Sequence, residues 1–74
     1  MIEIEYNLML AALMGKKRET LDIGESLTLS QLEAKLGLKN EDVGMLLIND
    51  AWASLESVIK DGDFVQLYPH MDGG

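Results

Sequence analysis

Side chains that commonly perform covalent catalysis are scarce in this sequence. There is no cysteine, and His70 is the single histidine. Four serines, Ser26, Ser30, Ser54 and Ser57, would each need a neighbouring base to become nucleophiles. The one histidine that could act as that base belongs to a terminal segment that we expect to be mobile. The sequence therefore gives little support to serine or cysteine catalysis.

Paired carboxylates occur at two places, Glu41-Asp42 and Asp61/Asp63. Both pairs lie in segments that are predicted to be polar loops or turns, so their side chains are expected to be solvated. Asp61 and Asp63 offer too few ligands for more than weak cation binding. A single histidine without cysteine does not supply a zinc site. No metal site is predicted.

The end of the sequence, YPHMDGG, offers a different kind of chemistry. Gly73 and Gly74 follow Pro69 after a short interval. Glycine at a chain end is usually uninformative, because termini fray. The meaning of this pair therefore depends on the fold that carries it.

Composition restricts the class of partner. The 74 residues include thirteen acidic and six basic side chains, for a net charge of −7. This charge argues against nucleic acid or an anionic membrane as partner, and it is compatible with a basic protein partner or with solubility alone. Glu3 and Glu5 stand where a signal peptide would need cations, and the apolar run 8–14 is too short to span a bilayer. We expect one cytoplasmic domain.

The first segments predict a hairpin with one buried face. IEIEY at 2–6 alternates apolar and acidic residues, which is the period of a half-buried strand. Ile2, Ile4 and Tyr6 are therefore expected to face the core. A second strand, RETLDI at 18–23, is expected to pair antiparallel with the first.

Two helical segments are predicted. The apolar run at 8–15 is expected to form a short helix or turn that closes one end of the core. The clearest helix is LTLSQLEAKLGL at 27–38. Thr28 and Gln31 form a capping box at its start, and Gly37 ends it. Its leucines are expected to lie against the sheet.

The last third of the sequence predicts further strands. They read MLLIND at 45–50, AWASLESVI at 51–59, which is short and irregular, and FVQLYP at 64–69. Asn49-Asp50 tolerates positive φ and predicts a tight hairpin turn. Pro69 ends the last strand, because proline cannot donate to a ladder. The order strand, strand, helix, strand, short strand, strand predicts an α+β domain, with a mixed four- to five-stranded sheet and one main α-helix packed on one face.

This order of elements resembles the ubiquitin-like β-grasp. KDGDFVQLYP, a short tail and Gly-Gly are similar to the end of the bacterial sulfur carriers of the MoaD/ThiS family, which are the small subunit of molybdopterin synthase and the thiamine-pathway carrier. LMG, TLSQLEAKLGL and LLIND also fall where that family has equivalents. The resemblance covers essentially the whole chain. It implies a β-grasp domain over residues 1–69 and a flexible C-terminal tail over residues 70–74.

The resemblance implies a carrier and not an enzyme. In the family, the C-terminal carboxylate, here that of Gly74, is adenylated by an E1-like enzyme that uses ATP. Sulfur from a sulfur donor protein then gives a thiocarboxylate, and the terminus enters the active site of a partner such as a synthase large subunit. No cofactor is expected to stay bound. Gly73 and Gly74 lack a Cβ, which suits a narrow tunnel.

The resemblance also implies docking residues. Family members use an apolar patch on the exposed sheet face near the exit of the tail. Tyr68 and Trp52 are the candidate anchors, because tyrosine and tryptophan are favoured at interfaces. Alternatively, Trp52 packs in the core. Pro69 is expected to release the tail in a fixed direction.

Two tail residues depart from the family pattern. His70 stands where a second proline is common, and Asp72 stands where a small neutral residue usually precedes the glycines. Asp72 is therefore a candidate determinant of the partner, and the pathway stays open. Two other functions remain: a ubiquitin-like modifier conjugated through Gly74, or a β-grasp interaction module with an inert tail.

Overall fold

The computed structural model describes residues 1–70, which contain seven β-strands, two α-helices and one 3₁₀ turn. In chain order these are β1 Ile2–Tyr6, α1 Met9–Met14, β2 Arg18–Leu21, β3 Ser26–Thr28, α2 Leu29–Leu36, the 3₁₀ turn Asn40–Asp42, β4 Met45–Ile48, β5 Ala51–Ala53, β6 Val58–Lys60 and β7 Phe64–Tyr68. None of the helices within residues 1–70 is long and apolar enough to cross a membrane.

Five strands form the main sheet in the order β2-β1-β7-β4-β5. β7 is the central strand and runs parallel to β1, whereas the other pairs are antiparallel. The prediction of a mixed sheet with one main helix is confirmed. A separate two-stranded sheet of β3 and β6 was not predicted, because β3 lies inside the segment that was interpreted as the approach to the helix.

One face of the sheet forms the core with α2. The inward residues of β1 and β7 are fully buried, as the period-two patterns predict, and Leu29 and Leu32 of α2 belong to the same apolar cluster. Full burial of each such side chain contributes about 1.5–3 kcal/mol relative to exposure. The largest fully buried side chains are Ile2, Ile4, Tyr6, Leu32, Val43, Leu46, Ile59, Val65 and Leu67.

The residues that were predicted to cap α2 form both of its ends. The Gln31 N–H donates to the Thr28 hydroxyl at 3.2 Å, and the Thr28 N–H donates to Gln31 Oε1 at 2.9 Å, which completes the predicted capping box. Gly37 adopts a left-handed conformation with φ 76° and ends the helix. Glu33 of α2 is only 3% exposed, which the leucine pattern did not predict.

Two turns close the strands on either side of the sheet centre. Asn49 and Asp50 both have positive φ, 53° and 67°, as the predicted hairpin turn requires. The Asn49 side chain accepts a hydrogen bond from the Phe64 N–H and donates to Asp63, both at 2.9 Å. These contacts tie the β4–β5 turn to the turn before β7, where Gly62 has φ 91°.

The short helix α1 closes the core less fully than the sequence predicted. Leu10 is buried, but Leu8, Met9 and Leu13 are exposed. A helix of six residues has only one side against the sheet, so an apolar run around all of its sides must leave the others uncovered.

Candidate partner interface and tail exit

The chain leaves the sheet from its central strand. The Tyr68 carbonyl at the end of β7 accepts a hydrogen bond from the Gly44 N–H at 2.8 Å, which extends the β4–β7 ladder by one step. Pro69 follows and is half-buried, and His70 is exposed. Because Pro69 has no N–H, the ladder ends there, as predicted. The prediction that residues 64–68 form a central strand is also confirmed.

Gly44 lets the backbone of His70 approach β4 closely. A Cβ on Gly44 would lie 2.7 Å from His70 Cα and 2.9 Å from the His70 backbone nitrogen, which is closer than real Cβ atoms come to a neighbour. The direction of the chain after Pro69 is therefore set by this contact as well as by the proline. Sequence reasoning missed Gly44. The available signal was a glycine directly before a predicted strand, which often marks a close backbone approach.

The outer face of the sheet carries apolar side chains next to this exit. Tyr68 of β7 lies opposite Met45 of β4, and Leu47, two residues further along β4, lies opposite Trp52 of β5. Tyr68 and Trp52 thus share one face, with Met45 and Leu47 between them. We call these four residues the outer apolar patch.

Trp52 is the most exposed member of the outer apolar patch, at 69% exposure, so the alternative that it packs in the core is wrong. Tyr68 is half-buried among its sheet neighbours. Their role in binding a partner stays a prediction.

The other half of the outer face is polar. Gln66 Nε2 donates to Glu5 Oε1 at 2.9 Å, and Arg18 donates to Glu5 Oε2 at 2.9 Å and to Glu3 at 3.1 Å. The hydrogen bond from Gln66, with further contributions from Arg18, lowers the pKa of Glu5 below its ordinary value. The Arg18 guanidinium also lies 5.6 Å from the centre of the Phe64 ring. The charged side chains of this half are paired with one another, whereas Gln66 Oε1 has no hydrogen-bond partner within residues 1–70.

Three predicted site residues, Asp72, Gly73 and Gly74, lie outside the described residues 1–70, as does the rest of the predicted tail after His70. Within residues 1–70 there is no group of three or more side chains arranged to hold a metal ion. Asp63, considered above for weak cation binding, already accepts hydrogen bonds at both oxygens, from Asn49 and from the Lys60 N–H.

Comparison with known proteins identifies the family. The ThiS family model matches residues 4–74. The chain belongs to the ThiS family. No curated protein matches this ThiS family member.

Solved structures share its fold. SAMP1 from Haloferax volcanii is 24% identical, with a TM-score of 0.73 over 99% of this chain and 98% of its own. A chain from the complex of subunits 1 and 2 of molybdopterin-converting factor of Helicobacter pylori is 23% identical, with a TM-score of 0.59 over 99% and 97%. The thiamine biosynthesis protein ThiS of Geobacter metallireducens is 24% identical, with a TM-score of 0.57 over 97% and 99%. This ThiS family member therefore has the ubiquitin-like β-grasp fold that the sequence predicted.

Proposed function

We propose that this ThiS family member is a sulfur carrier whose Gly74 carboxylate is adenylated and converted to a thiocarboxylate, which donates sulfur in cofactor biosynthesis. The observation that carries the proposal is the family match, which runs through the Gly-Gly pair to residue 74. The proposal takes Gly74 as the terminal residue of the active protein. The chain is also proposed to be a carrier and not a catalyst, because its thiocarboxylate is consumed when sulfur is donated and must be formed again.

The chemistry needs no reactive side chain on the carrier. The Gly74 carboxylate attacks the α-phosphorus of ATP, pyrophosphate leaves, and an acyl-adenylate forms. Hydrosulfide supplied by a sulfur donor then attacks the acyl carbon, the bond to AMP breaks, and a thiocarboxylate remains. Gly73 and Gly74 suit this route because a backbone without Cβ passes through a narrow tunnel. The lack of a nucleophile-base pair in the sequence is consistent with such a role.

The geometry of the exit supports delivery of the terminus to another protein. The chain leaves from the central strand, which is held by neighbours on both sides. The Gly44–His70 contact and the fixed φ of Pro69 reduce the number of directions available to the chain, which lowers the entropy that docking must remove. We propose that Tyr68 and Trp52 anchor the partner and that Asp72 contributes to its choice.

The proposed partners are an E1-like adenylating enzyme that uses ATP, a sulfur donor protein and a synthase large subunit. The complex of subunits 1 and 2 of molybdopterin-converting factor, in which one chain shares this fold, supports the last of these. An acidic carrier favours partners with basic docking surfaces, because unlike charges steer association.

The proposal is tested by incubating the full chain with ATP, a sulfur donor and the adenylating enzyme encoded beside it or in the same genome. Intact-protein mass spectrometry should show replacement of one oxygen by one sulfur, and fragmentation should locate the change at Gly74. A variant that ends at Asp72 is the matched control and should stay unmodified.

Two other results would contradict the sulfur carrier. If an enzyme that is proven active on another carrier does not modify this chain, the function that remains is an interaction module with an inert tail. A product in which Gly74 is joined to a lysine of another protein would favour the ubiquitin-like modifier. One structure that shares this fold is named small archaeal modifier protein 1.

A further inference from the structure

A second apolar surface shares no residue with the outer apolar patch. It is formed by α1 and the residue before it, with Leu8 59%, Met9 77% and Leu13 62% exposed. These are three of the most exposed large apolar side chains within residues 1–70. Leu10 of this segment is buried, and Ala11 and Met14 are partly buried against the core. Folding therefore does not account for the apolar character of Leu8, Met9 and Leu13.

A groove connects this surface to the tail exit. Its volume is about 290 Å³, and it is lined by Met9, Leu10, Leu13, Glu41, Asp42, Pro69 and His70. We call it the α1 groove. Its lining combines aliphatic side chains of α1, acidic side chains of the 3₁₀ turn and the first residues after β7.

The backbone before α1 is held in an unusual conformation. Leu8 has φ 55° and ψ −129°, a region that a branched side chain rarely adopts. Its side chain is mostly exposed, so burial does not offset this cost. Strained residues cluster at functional sites, and Leu8 directly precedes α1, although it does not itself line the α1 groove.

The charges around the α1 groove select the occupant. The lining residues include two acidic side chains, Glu41 and Asp42, and no lysine or arginine. An anionic lipid surface or a nucleic acid would be repelled by them and by the net charge of −7. An aliphatic side chain flanked by lysine or arginine complements both walls.

We propose that the α1 groove binds an amphipathic segment of a partner protein, with an aliphatic side chain against Met9 and Leu13 and basic side chains beside Glu41 and Asp42. This surface shares no residue with the outer apolar patch, so a partner that uses it makes contacts that Tyr68 and Trp52 do not supply. The inference concerns residues 8–13 and 41–42 and does not depend on the chemistry of Gly74.

The test is a titration of the full ¹⁵N-labelled chain with a short amphipathic peptide of leucine and lysine, followed by amide chemical shifts. Shifts should concentrate at residues 8–14, 41–44 and 69–70. One comparison peptide keeps the leucines but replaces lysine by glutamate, and a second keeps the lysines but replaces leucine by serine. Both should bind at least about tenfold more weakly.

Two variants localise the site. Leu13→Glu should lower the affinity for the leucine-lysine peptide about tenfold or more, even though it adds an attractive charge, because it removes an apolar contact. Leu55→Glu makes the same substitution at an exposed position outside both apolar surfaces and should leave the affinity within about twofold. Both positions are exposed, so both variants should retain the dispersed spectrum of the folded chain.

Four results would overturn the proposal. The first is a set of shifts centred on Leu47 and Trp52, and the second is equal binding of the leucine-glutamate peptide. The third is the appearance of the α1-groove shifts with rising protein concentration alone, which would identify a second copy as the occupant. The fourth is much tighter peptide binding by a variant that ends at His70, which would identify residues 71–74 as the occupant.

Discussion

The backbone of His70 occupies the space that a side chain at Gly44 would need. A Cβ on Gly44 would come within 2.7 Å of His70 Cα, while the Gly44 N–H donates to the carbonyl of Tyr68 at 2.8 Å. One glycine therefore positions the residues on both sides of Pro69. Any side chain at position 44 must move the backbone of the chain that leaves β7.

We expect Gly44→Ala to displace the start of the tail and to destabilise the fold by about 1–3 kcal/mol, as overpacking against a backbone does. The amide shifts of Tyr68 and His70 should change more than those of β1. If the proposed function holds, the rate of Gly74 modification by the adenylating enzyme should also fall.

The control for this variant is Gly62→Ala. Gly62 has φ 91° and open space around the Cβ position, so the substitution costs stability through backbone strain and not through contact with the tail. A Gly62→Ala chain that shifts His70 as much as Gly44→Ala would show that general destabilisation, and not the close contact, moves the tail.

Trp52 should matter for binding and little for stability. Its side chain is 69% exposed, so Trp52→Ala should change the free energy of unfolding by less than about 1 kcal/mol. Leu46 on the adjacent strand β4 is fully buried and provides the comparison, and Leu46→Ala should cost about 2–5 kcal/mol. Urea denaturation measures both.

The binding effect of Trp52 is measured with the adenylating enzyme. Trp52→Ala should weaken binding by about tenfold or more if the residue is an interface anchor. Unchanged affinity would remove the outer apolar patch from the docking surface. The same experiment with Leu13→Glu shows whether this partner also uses the α1 groove.

Local patterns predicted most of the fold. The strict alternation of IEIEY fixed the buried face of β1, and the capping box at Thr28 and Gln31 located the start of α2 within one residue. These features depend on neighbours in the sequence, and a single sequence contains that information.

Features that depend on distant pairs were missed. The sheet of β3 and β6 joins segments about thirty residues apart, and neither segment shows a long period-two pattern. The role of Gly44 follows from the path of the chain after β7, which no local pattern describes. Residues 8–14 read as a core segment because they are apolar, yet a six-residue helix cannot bury all its sides. Exposure of this kind is visible only once the sheet is in place.

The Asn49-Asp50 turn has one residue that fits its role and one that can be improved. Asn49 has φ 53° and bonds both Phe64 and Asp63, so Asn49→Gly should cost about 1–2 kcal/mol through the lost hydrogen bonds. Asp50 also has positive φ, 67°, but no hydrogen bond of its side chain compensates for it within the described residues. Asp50→Gly should therefore stabilise the hairpin, by about 0.5 kcal/mol. Thermal unfolding of the two variants should show shifts of opposite sign, and a loss of stability in Asp50→Gly would contradict this account.

Glu33 should make the fold less stable as the pH rises from acid to neutral. Burial, together with the negative charge of Asp42, raises the pKa of Glu33 above its ordinary value of 4.5, and within residues 1–70 Glu33 Oε2 has no hydrogen-bond partner. Below pH 4.5 the carboxyl is protonated in both the folded and unfolded chain and contributes nothing. Above pH 4.5 the unfolded chain releases this proton while the folded chain holds it, so stability falls until the pH passes the folded pKa.

Glu33→Gln removes this loss, because glutamine does not ionise. We expect the variant to have a larger free energy of unfolding relative to the wild type at pH 7 than in acid, and this gap should close below pH 4.5. Glu5 has the opposite dependence, because its lowered pKa stabilises the fold above pH 4.5 and this stabilisation is lost in acid. The wild type and the Glu33→Gln variant both contain Glu5, so its contribution cancels when their free energies of unfolding are subtracted. Glu41→Gln, at an exposed position of the 3₁₀ turn, removes an equal charge and should show no such pH-dependent gap. A gap of equal size in Glu41→Gln would mean that net charge, and not burial of Glu33, determines the pH dependence.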